Sequence, residues 1–503
     1  MRQRVGSGMP AADPRRGGVV EGAMPAWSSL TADVDRWLGD RLDQVVSAHH
    51  RRRLGKLGWG GALATGTASV DRPARDGNAV RVLLDGEAAL PAMVHAITNA
   101  KSHVHIAGWH ASPGFRPTRG PDAQALRDIL ADVAERVPVR LLMWAGPPLP
   151  VFQPTRRMVK AAGDGFTAGS KVRCVLDSRE RTMHCHHEKI VVVDDEVTFV
   201  GGIDFTALQG DRHDSTAHVP DRPLGWHDVA TELRGPIVAD VATHFAQRWS
   251  EVAGEPLAVP AVPEPVGDTA VQLVRTVPEH TYRFAWRGEF GILDAYLNAL
   301  RSAKSLVYLE NQFLWSAEVA DVLAALLSDP PTDRFRMVLM LPRRPNDGAD
   351  TTRGQLGQLV AADAGRGRLL ATTLSARDGE TTGPLYVHAK VGIVDDVWLT
   401  VGSANLNEHS LFNDTEVNVV LRQPELVRDT RLRLWAEHLE TTQAEVAGDP
   451  ADVVDTQWRP VAQREADLEA QGAPRGHRLA LLPNVSRRSE RLGGPLRGLL
   501  VDG

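Results

Sequence analysis

Hydrophobic and polar positions along the chain switch between two periods. In "EAALPAMVHAITNA", residues 87–100, apolar residues recur three and four apart, which predicts a helix; "SHVHIAGW", 102–109, predicts a strand. "DAQALRDILADVAERV", 122–137, sets Leu126, Ile129, Leu130, Val133 and Val137 on one side of a second helix, and "VRLLMW", 139–144, is a second buried strand. Strand and helix in this order imply a largely parallel sheet covered by helices. Further upstream, "SLTADVDRWLGDRLDQVVSAHHRRRL", 29–54, spaces Leu30, Val34, Trp37, Leu38 and Leu42 as a helix does. Its basic end, "HHRRRLGK", reads as cations completing a helix C-terminus.

The pattern then returns. "AKSHVHIAGW" at 100–109 is echoed by "AKSLVYLENQ" at 303–312, and "VRLLMW" at 139–144 by "RMVLML" at 336–341. Proline-rich "PLAVPAVPEPVGD", 256–268, separates the two copies and reads as a linker. The expected organisation is a leader and helix over 1–75, with 1–27 disordered. A first half over 76–255, the linker, a second half over 269–445 and a C-terminal extension over 446–503 follow.

Composition narrows the class. With 503 residues, 43% hydrophobic and 24% charged, the chain is a globular protein of more than one core. Its formal charge of −6 argues against a surface built to grip nucleic acid. Two cysteines, Cys174 and Cys185, leave no disulfide framework, and no run approaches the roughly 18 apolar residues of a membrane span. A cytoplasmic enzyme is expected, touching membranes at most peripherally.

The chemistry is duplicated as well. "HHEKIVVVDD", 186–195, opens a strand-like run with ionisable residues, and 388–396 does the same. His187, Lys189, Asp194, Gly201, Gly202 and Asp204 form HxKxxxxD followed by GGxD; His388, Lys390, Asp395, Gly402, Ser403 and Asn405 form HxKxxxxD followed by GSxN. All six positions share one offset of 201, since 388 − 187 = 201 and 405 − 204 = 201. Residues two apart on a strand share a face, so each histidine is expected to project with its lysine. Asp194 and Asp395 fall where hairpins should turn, in "VVVDDEVTFVGG" and "GIVDDVWLTVGS", and are expected to fix those turns or pair with a cation. An imidazole can attack or transfer a proton near neutral pH, and a lysine supplies the charge a phosphoryl oxygen demands. Two such pairs suit displacement at a phosphodiester in two steps. "GWHDVATELRGP" and "NDTEVNVVLRQP" occupy corresponding places and offer Asp228 and Glu416 as carboxylates to orient the histidines.

These paired motifs resemble those of the phospholipase D superfamily, over roughly residues 80–440. "GWHD", "RGPIVADVATHFAQRW", "LENQFLW" and "VGSANLNEHSLFNDTEVNV" are similar to its lipid-acting members. The resemblance implies two α/β sandwich halves around a pseudo-twofold axis with one shared site. It implies His187 as nucleophile forming a phosphohistidine, and His388 as the acid that protonates the leaving alcohol and then activates water or a second alcohol. Lys189, Lys390 and Asn405, with Ser403 and Gly202, would hold the phosphoryl group. No cofactor or metal is implied. The substrate would be a glycerophospholipid at a membrane surface, cleaved to phosphatidic acid or transferred to an alcohol, by a monomer without nucleic-acid partners. A cardiolipin-synthase-like phosphatidyltransferase ranks second and a nuclease third. Aspartate at 204, where the second half has Asn405, leaves that residue's role open.

Two side readings accompany this. Consecutive His184, Cys185 and His186 would point to alternate faces of a strand and so could not all close on one ion. Trp109, Trp226, Trp315 and Trp398 lie near the motif strands, where either a lipid-facing rim or the core would suit them.

Overall fold

The computed structural model describes residues 41, 44–64, 72–148, 153–180, 184–216, 218–220, 223–344, 349–379 and 381–483. The expected leader, 1–27, and the basic tail from 486 lie outside them. A helix over 44–57 (α1) and a short one, α2 (Gly60–Ala64), come first. The first half then runs β1 (Arg75–Leu84), α3 (Asp85–Thr98), β2 (Val104–Gly108), α4 (Leu126–Ala134), β3 (Val139–Trp144), α5 (Arg156–Thr167), β4 (Arg173–Asp177), β5 (Ile190–Val193), β6 (Val197–Gly201), β7 (Gly225–His227), β8 (Val229–Arg234) and α6 (Val238–Ala253). Residues 255–266 carry neither helix nor strand. Beyond them come β9 (Thr269–Val277), β10 (Glu289–Phe290), α7 (Gly291–Ser302), β11 (Leu306–Glu310), α8 (Ala317–Ser328), β12 (Arg336–Met340), α9 (Ala349–Asp363), β13 (Leu369–Asp378), β14 (Thr381–Val387), β15 (Val391–Val394), β16 (Trp398–Gly402), β17 (Glu416–Leu421) and α10 (Pro424–His438). The chain closes with α11 (Pro450–Val453), α12 (Arg459–Ala470) and β18 (Leu479–Leu481).

Strand order shows the duplication directly. The first sheet is β4-β3-β2-β5-β6-β8-β1 and the second β13-β12-β11-β15-β16-β17-β9. Within these two sheets, among the described residues, only β2-β3-β4 and β11-β12-β13 are parallel, which corrects the expectation of a largely parallel sheet. The reason is connection length. Helices link the parallel strands, whereas β5 meets β6, and β15 meets β16, through turns too short for a crossover. Apolar faces of α3, α4 and α5 cover one sheet and those of α7, α8 and α9 the other, while a third core holds α6, α10 and the inner faces of both sheets. The halves join through antiparallel β1–β9 and parallel β7–β14, and β6 packs against β16 and β17.

The basic end of α1 is a docking surface on the second half. His50 Nδ1 lies 2.9 Å from Glu318, its ring stacks on Phe412 at 3.8 Å, and Arg53 binds Glu279 and Asn413. All four tryptophans near the motifs are buried, so they fill space inside the fold and make no lipid rim.

Both hairpins turn on paired aspartates with positive φ, Asp194 and Asp195 at +58° and +54° and Asp395 and Asp396 at +53° and +55°. Asp395 accepts hydrogen bonds from the backbone N–H groups of Lys304, Ser305 and Leu306 at 2.7–2.8 Å; Asp194 does the same for Lys101, Ser102 and His103. The carboxylate thus closes the turn between α7 and β11. Asp395→Ala leaves three N–H groups without this acceptor and should cost about 2–4 kcal/mol in urea denaturation; a shift under about 0.5 kcal/mol would show that water replaces the carboxylate freely.

Candidate active site

His187 and Lys189 stand just before β5, and His388 and Lys390 between β14 and β15. Neither pair lies within a strand. In both halves the lysine Nζ instead donates back to the backbone carbonyl of its own histidine, which ties the lysine side chain to the main chain of the motif. The halves meet here through a parallel bridge between His186 and Thr415, and Thr415 O accepts from His187 N.

Each histidine is held by a carboxylate of the opposite half. His187 Nδ1 donates to Glu416 Oε1 at 3.0 Å and to Ser403 O at 3.1 Å; both are acceptors, so Nδ1 carries a hydrogen and the tautomer of the neutral ring has its lone pair on Nε2. His388 Nδ1 donates to Asp228 Oδ2 at 2.6 Å, with the same consequence. Ser403 Oγ donates to the other Glu416 oxygen, and Gly202 N–H to Val229 O, so both phosphate-holding candidates are already engaged. Gly202 has another use: a Cβ there would meet Asp228 Oδ1 at 2.1 Å, and only glycine leaves the carboxylate room.

Asp204 faces Lys189, with Oδ2 3.2 Å from Nζ and Oδ1 accepting from Trp109 N–H. In the second half, Gln312 Oε1 takes both counterpart donors, Lys390 Nζ at 3.2 Å and Asn405 Nδ2 at 3.3 Å. Lys189 thus has the Asp204 carboxylate beside it where Lys390 has the Gln312 amide, while Lys390 also acts on the Asp228 carboxylate. Asp194 and Asp395 sit just past the far ends of β5 and β15, five residues or ~17 Å along a strand from Lys189 and Lys390.

Further groups pack around the two histidines, among them Arg212, which carried no sequence signal of its own. Trp226 packs on the His388 ring, centroids 4.3 Å apart, and the Arg212 guanidinium lies 3.6 Å from the Trp226 ring centroid. Arg212 Nη1 is buried with no hydrogen-bond partner among the described residues. Behind His388, His227 gives Nδ1 to Asp85 and Nε2 to Glu310, each at 2.9 Å, and His438 adds a second hydrogen bond to Glu310. Behind His187, buried Glu188 binds His244 at 2.6 Å and Arg248, and Arg248 reaches Asp177 at 2.6 Å.

Titration follows from this packing. Burial lowers the His388 pKa well below the usual histidine value, and Lys390, Arg212, Lys189 and His187 push it the same way. That the first half's lysine and histidine act on His388 shows how closely the two motifs approach. Burial raises Asp228, with Lys390 opposing. Burial opposes protonation of His227 too, but Asp85 and Glu310 overcome it and lift the pKa well above normal. In Glu188, burial is outweighed by Arg248 and His244, which bring it to about 2.

The fold and site so far define a class: a duplicated α/β protein whose halves converge two histidine–lysine pairs on one place. The family profile described as "Cardiolipin synthase, PLD-like domain" matches residues 296–435. Phospholipase D A of Dictyostelium discoideum is 25% identical over 464 residues, 73% of this chain and 36% of that protein. Phospholipase D alpha 1 of Arabidopsis thaliana is 26% identical, covering 68% and 63%; phospholipase D1 of Schizosaccharomyces pombe is 27% identical, covering 77% and 38%. The chain thus spans between about a third and just under two thirds of the length of these relatives. A solved phosphatidylserine synthase of Haemophilus influenzae Rd KW20 shares the fold, with TM-score 0.51, 12% identity, and coverage of 80% of this chain and 96% of that one. Over two thirds or more of its length, the chain is thus similar to proteins of the phospholipase D superfamily.

Histidines buried neutral should set the acid limit of stability. Burial holds His105 at about 3 and His110 at about 4, and His388 well down. The unfolded chain takes these protons first, at pH ~6.5, so stability present above that pH is lost as it falls towards 4. His227, raised, acts oppositely: its contribution is whole below pH ~6.5 and is lost as pH climbs through its folded value. Melting temperature should therefore peak near pH ~6.5. His105→Phe, which keeps the stack on Phe245, should flatten the acid limb by up to one proton, about 1.4 kcal/mol per pH unit. An unchanged slope would mean that His105 is not held neutral.

Proposed function

We propose that this protein is a phosphodiesterase of the phospholipase D type, cleaving the head group from a glycerophospholipid through a phosphohistidine. The observation that carries the reading is the crossed arrangement of the two imidazoles. Each is tautomerically fixed by the other half's carboxylate, and each keeps Nε2 free for a substrate group. His187 Nε2 attacks phosphorus while the protonated His388 gives its hydrogen to the departing alcohol oxygen. A phosphorus–nitrogen bond forms and a phosphorus–oxygen bond breaks. His388, neutral again, takes a proton from water or from a second alcohol, whose oxygen displaces His187. Lys189, Lys390 and Asn405 stabilise the charge on the phosphoryl oxygens.

His388 must carry a proton in the first step, although the free site disfavours it. A phosphodiester supplies the negative charge that offsets Lys390, Lys189 and Arg212, so substrate binding is what protonates the acid. A cavity of about 640 Å³ beside the site is lined by Leu224, Tyr386, Arg343, Arg344 and Arg475, and the Tyr386 ring lies 6.3 Å from that of His388. It offers room for part of a lipid. The names of the relatives and of the matching profile support a lipid over a nucleic-acid substrate, as does the acidic charge. A monomer working peripherally at a membrane suits a chain with both motifs and, among its described residues, no helix long and apolar enough to cross one. Transfer to an alcohol, as in a cardiolipin synthase, would use the same two steps.

The test is release of free head group from vesicles of mixed phosphatidylcholine, phosphatidylethanolamine and phosphatidylglycerol, with ethanol present. Phosphatidic acid or phosphatidylethanol should form, and His187→Ala and His388→Ala should each lose more than about 10³-fold in rate. Cleavage of single-stranded DNA without any lipid product would overturn the choice of substrate. Asp228→Asn should fall about 10²–10⁴-fold in kcat with a folded structure, because the amide no longer fixes the His388 tautomer; full activity would remove Asp228 from the machinery.

A further inference from the structure

We propose that His184, His409 and Asp414 form a binding site for a divalent transition metal of the zinc class, placed at the seam between the halves beside His187. His184 cannot share an ion with Cys185 and His186, its neighbours in sequence, for the reason of alternation already given. The fold supplies other partners. Parallel pairing of His186 with Thr415 sets the segment before His187 against the segment before Glu416. A turn of π-helix, His409–Asn413, then carries His409 back to Asp414, whose N–H donates to His409 O at 2.7 Å.

The donor atoms are spaced as ligands are. His184 Nδ1 lies 3.0 Å from His409 Nδ1 and 3.5 Å from Asp414 Oδ1, and all three ligand atoms fall within 4.8 Å of one another. Nitrogen and oxygen ligands at ~2.1 Å from a zinc-like ion stand ~3.0 Å apart at right angles and ~3.4 Å apart at tetrahedral angles. Asp414 is fully buried, and its Oδ2 has no hydrogen-bond partner among the described residues. Oδ1 is steadied by Cys185 N–H at 2.8 Å, which aims the carboxylate without using up both oxygens. His184 is partly exposed, so an ion has a way in and water can complete its coordination. Two imidazoles and one carboxylate favour zinc, cobalt or nickel over calcium or magnesium, which prefer oxygen.

The two other clusters of similar composition are different. His227, Glu310 and His438 are wholly buried and already hydrogen-bonded ring nitrogen to carboxylate. The group of Asp85, His227 and Glu437 shares that histidine. The proposed ion does no chemistry on substrate. It clips the chain before His187 to the chain before Glu416, the two residues that hydrogen-bond across the seam, and it stands whether or not the substrate is a lipid.

The experiment uses the full chain, stripped with a chelator and dialysed against micromolar free zinc. Bound metal is measured by mass spectrometry and, with cobalt(II), by visible absorption. About one zinc per chain should be retained, with excess calcium and magnesium failing to displace it. The chain carrying both His184→Ala and His409→Ala should lose at least about tenfold in affinity, as should Asp414→Asn, while His438→Gln should keep the ion. Circular dichroism compares each variant with the metal-free wild type; if the double variant unfolds, the single His409→Gln and the cobalt spectrum decide. Zinc retained by the double variant, or lost only in His438→Gln, would overturn the site. So would a folded wild type that holds no zinc.

Discussion

The hydrogen bond that crosses from one half to the other organises the rest of this structure. Glu416, on β17, holds His187; Asp228, between β7 and β8, holds His388. Neither half can orient its own histidine. The requirement propagates outward: β1 must pair with β9, β7 with β14, and the 184–188 segment with 414–416, before either imidazole has a fixed tautomer. A single half would hold its lysine but present an imidazole with no carboxylate to aim it. Duplication followed by docking is thus a condition of the chemistry, beyond being a record of how the sequence is arranged.

Putting so much charge inside a fold is expensive unless every ion is matched, and the matching differs on the two sides. Behind His187 the cations are Arg248 and Arg275, permanently charged, and His244 is left neutral between Glu188 and Arg275. Behind His388 the cation is His227, charged because both its ring nitrogens donate to carboxylates. The two networks pin Glu188 and Asp228 in place with different tools. One is indifferent to pH in the neutral range; the other depends on a histidine keeping its proton.

What the sequence disclosed, and what it hid, follows the distance along the chain over which each feature is encoded. The HxK pairs, the hairpin aspartates and the helix faces of α3 and α4 are written within a few residues, and all were legible. The repeat was legible because one offset of 201 recurs at six positions. Which carboxylate serves which histidine was not, since His187 and Glu416 are 229 residues apart and the pattern is symmetric between near and far partners. Arg212, in the irregular segment after β6, had no periodicity to betray it. The parallel sheet was over-read because β2 and β3 resemble any α/β protein until the short turns of the motif hairpins reverse the chain. Tryptophans near the motifs could be assigned to rim or core only by knowing what packs on them.

The near-symmetry of the site is broken at one pair of positions, and the break has a direction. Asp204 places a carboxylate 3.2 Å from Lys189, while the corresponding Asn405 shares Gln312 with Lys390. Lys390 is foremost among the charged groups lowering the His388 pKa, ahead of Arg212, Lys189 and His187. In the proposed reaction, a histidine kept neutral until an anion arrives would be a poor acid in the empty site and a good one once a phosphodiester supplied the missing charge. A symmetric pair would have no such preference. The aspartate at 204 therefore makes the two motifs electrostatically unlike, with a carboxylate beside Lys189 where the second half has an amide.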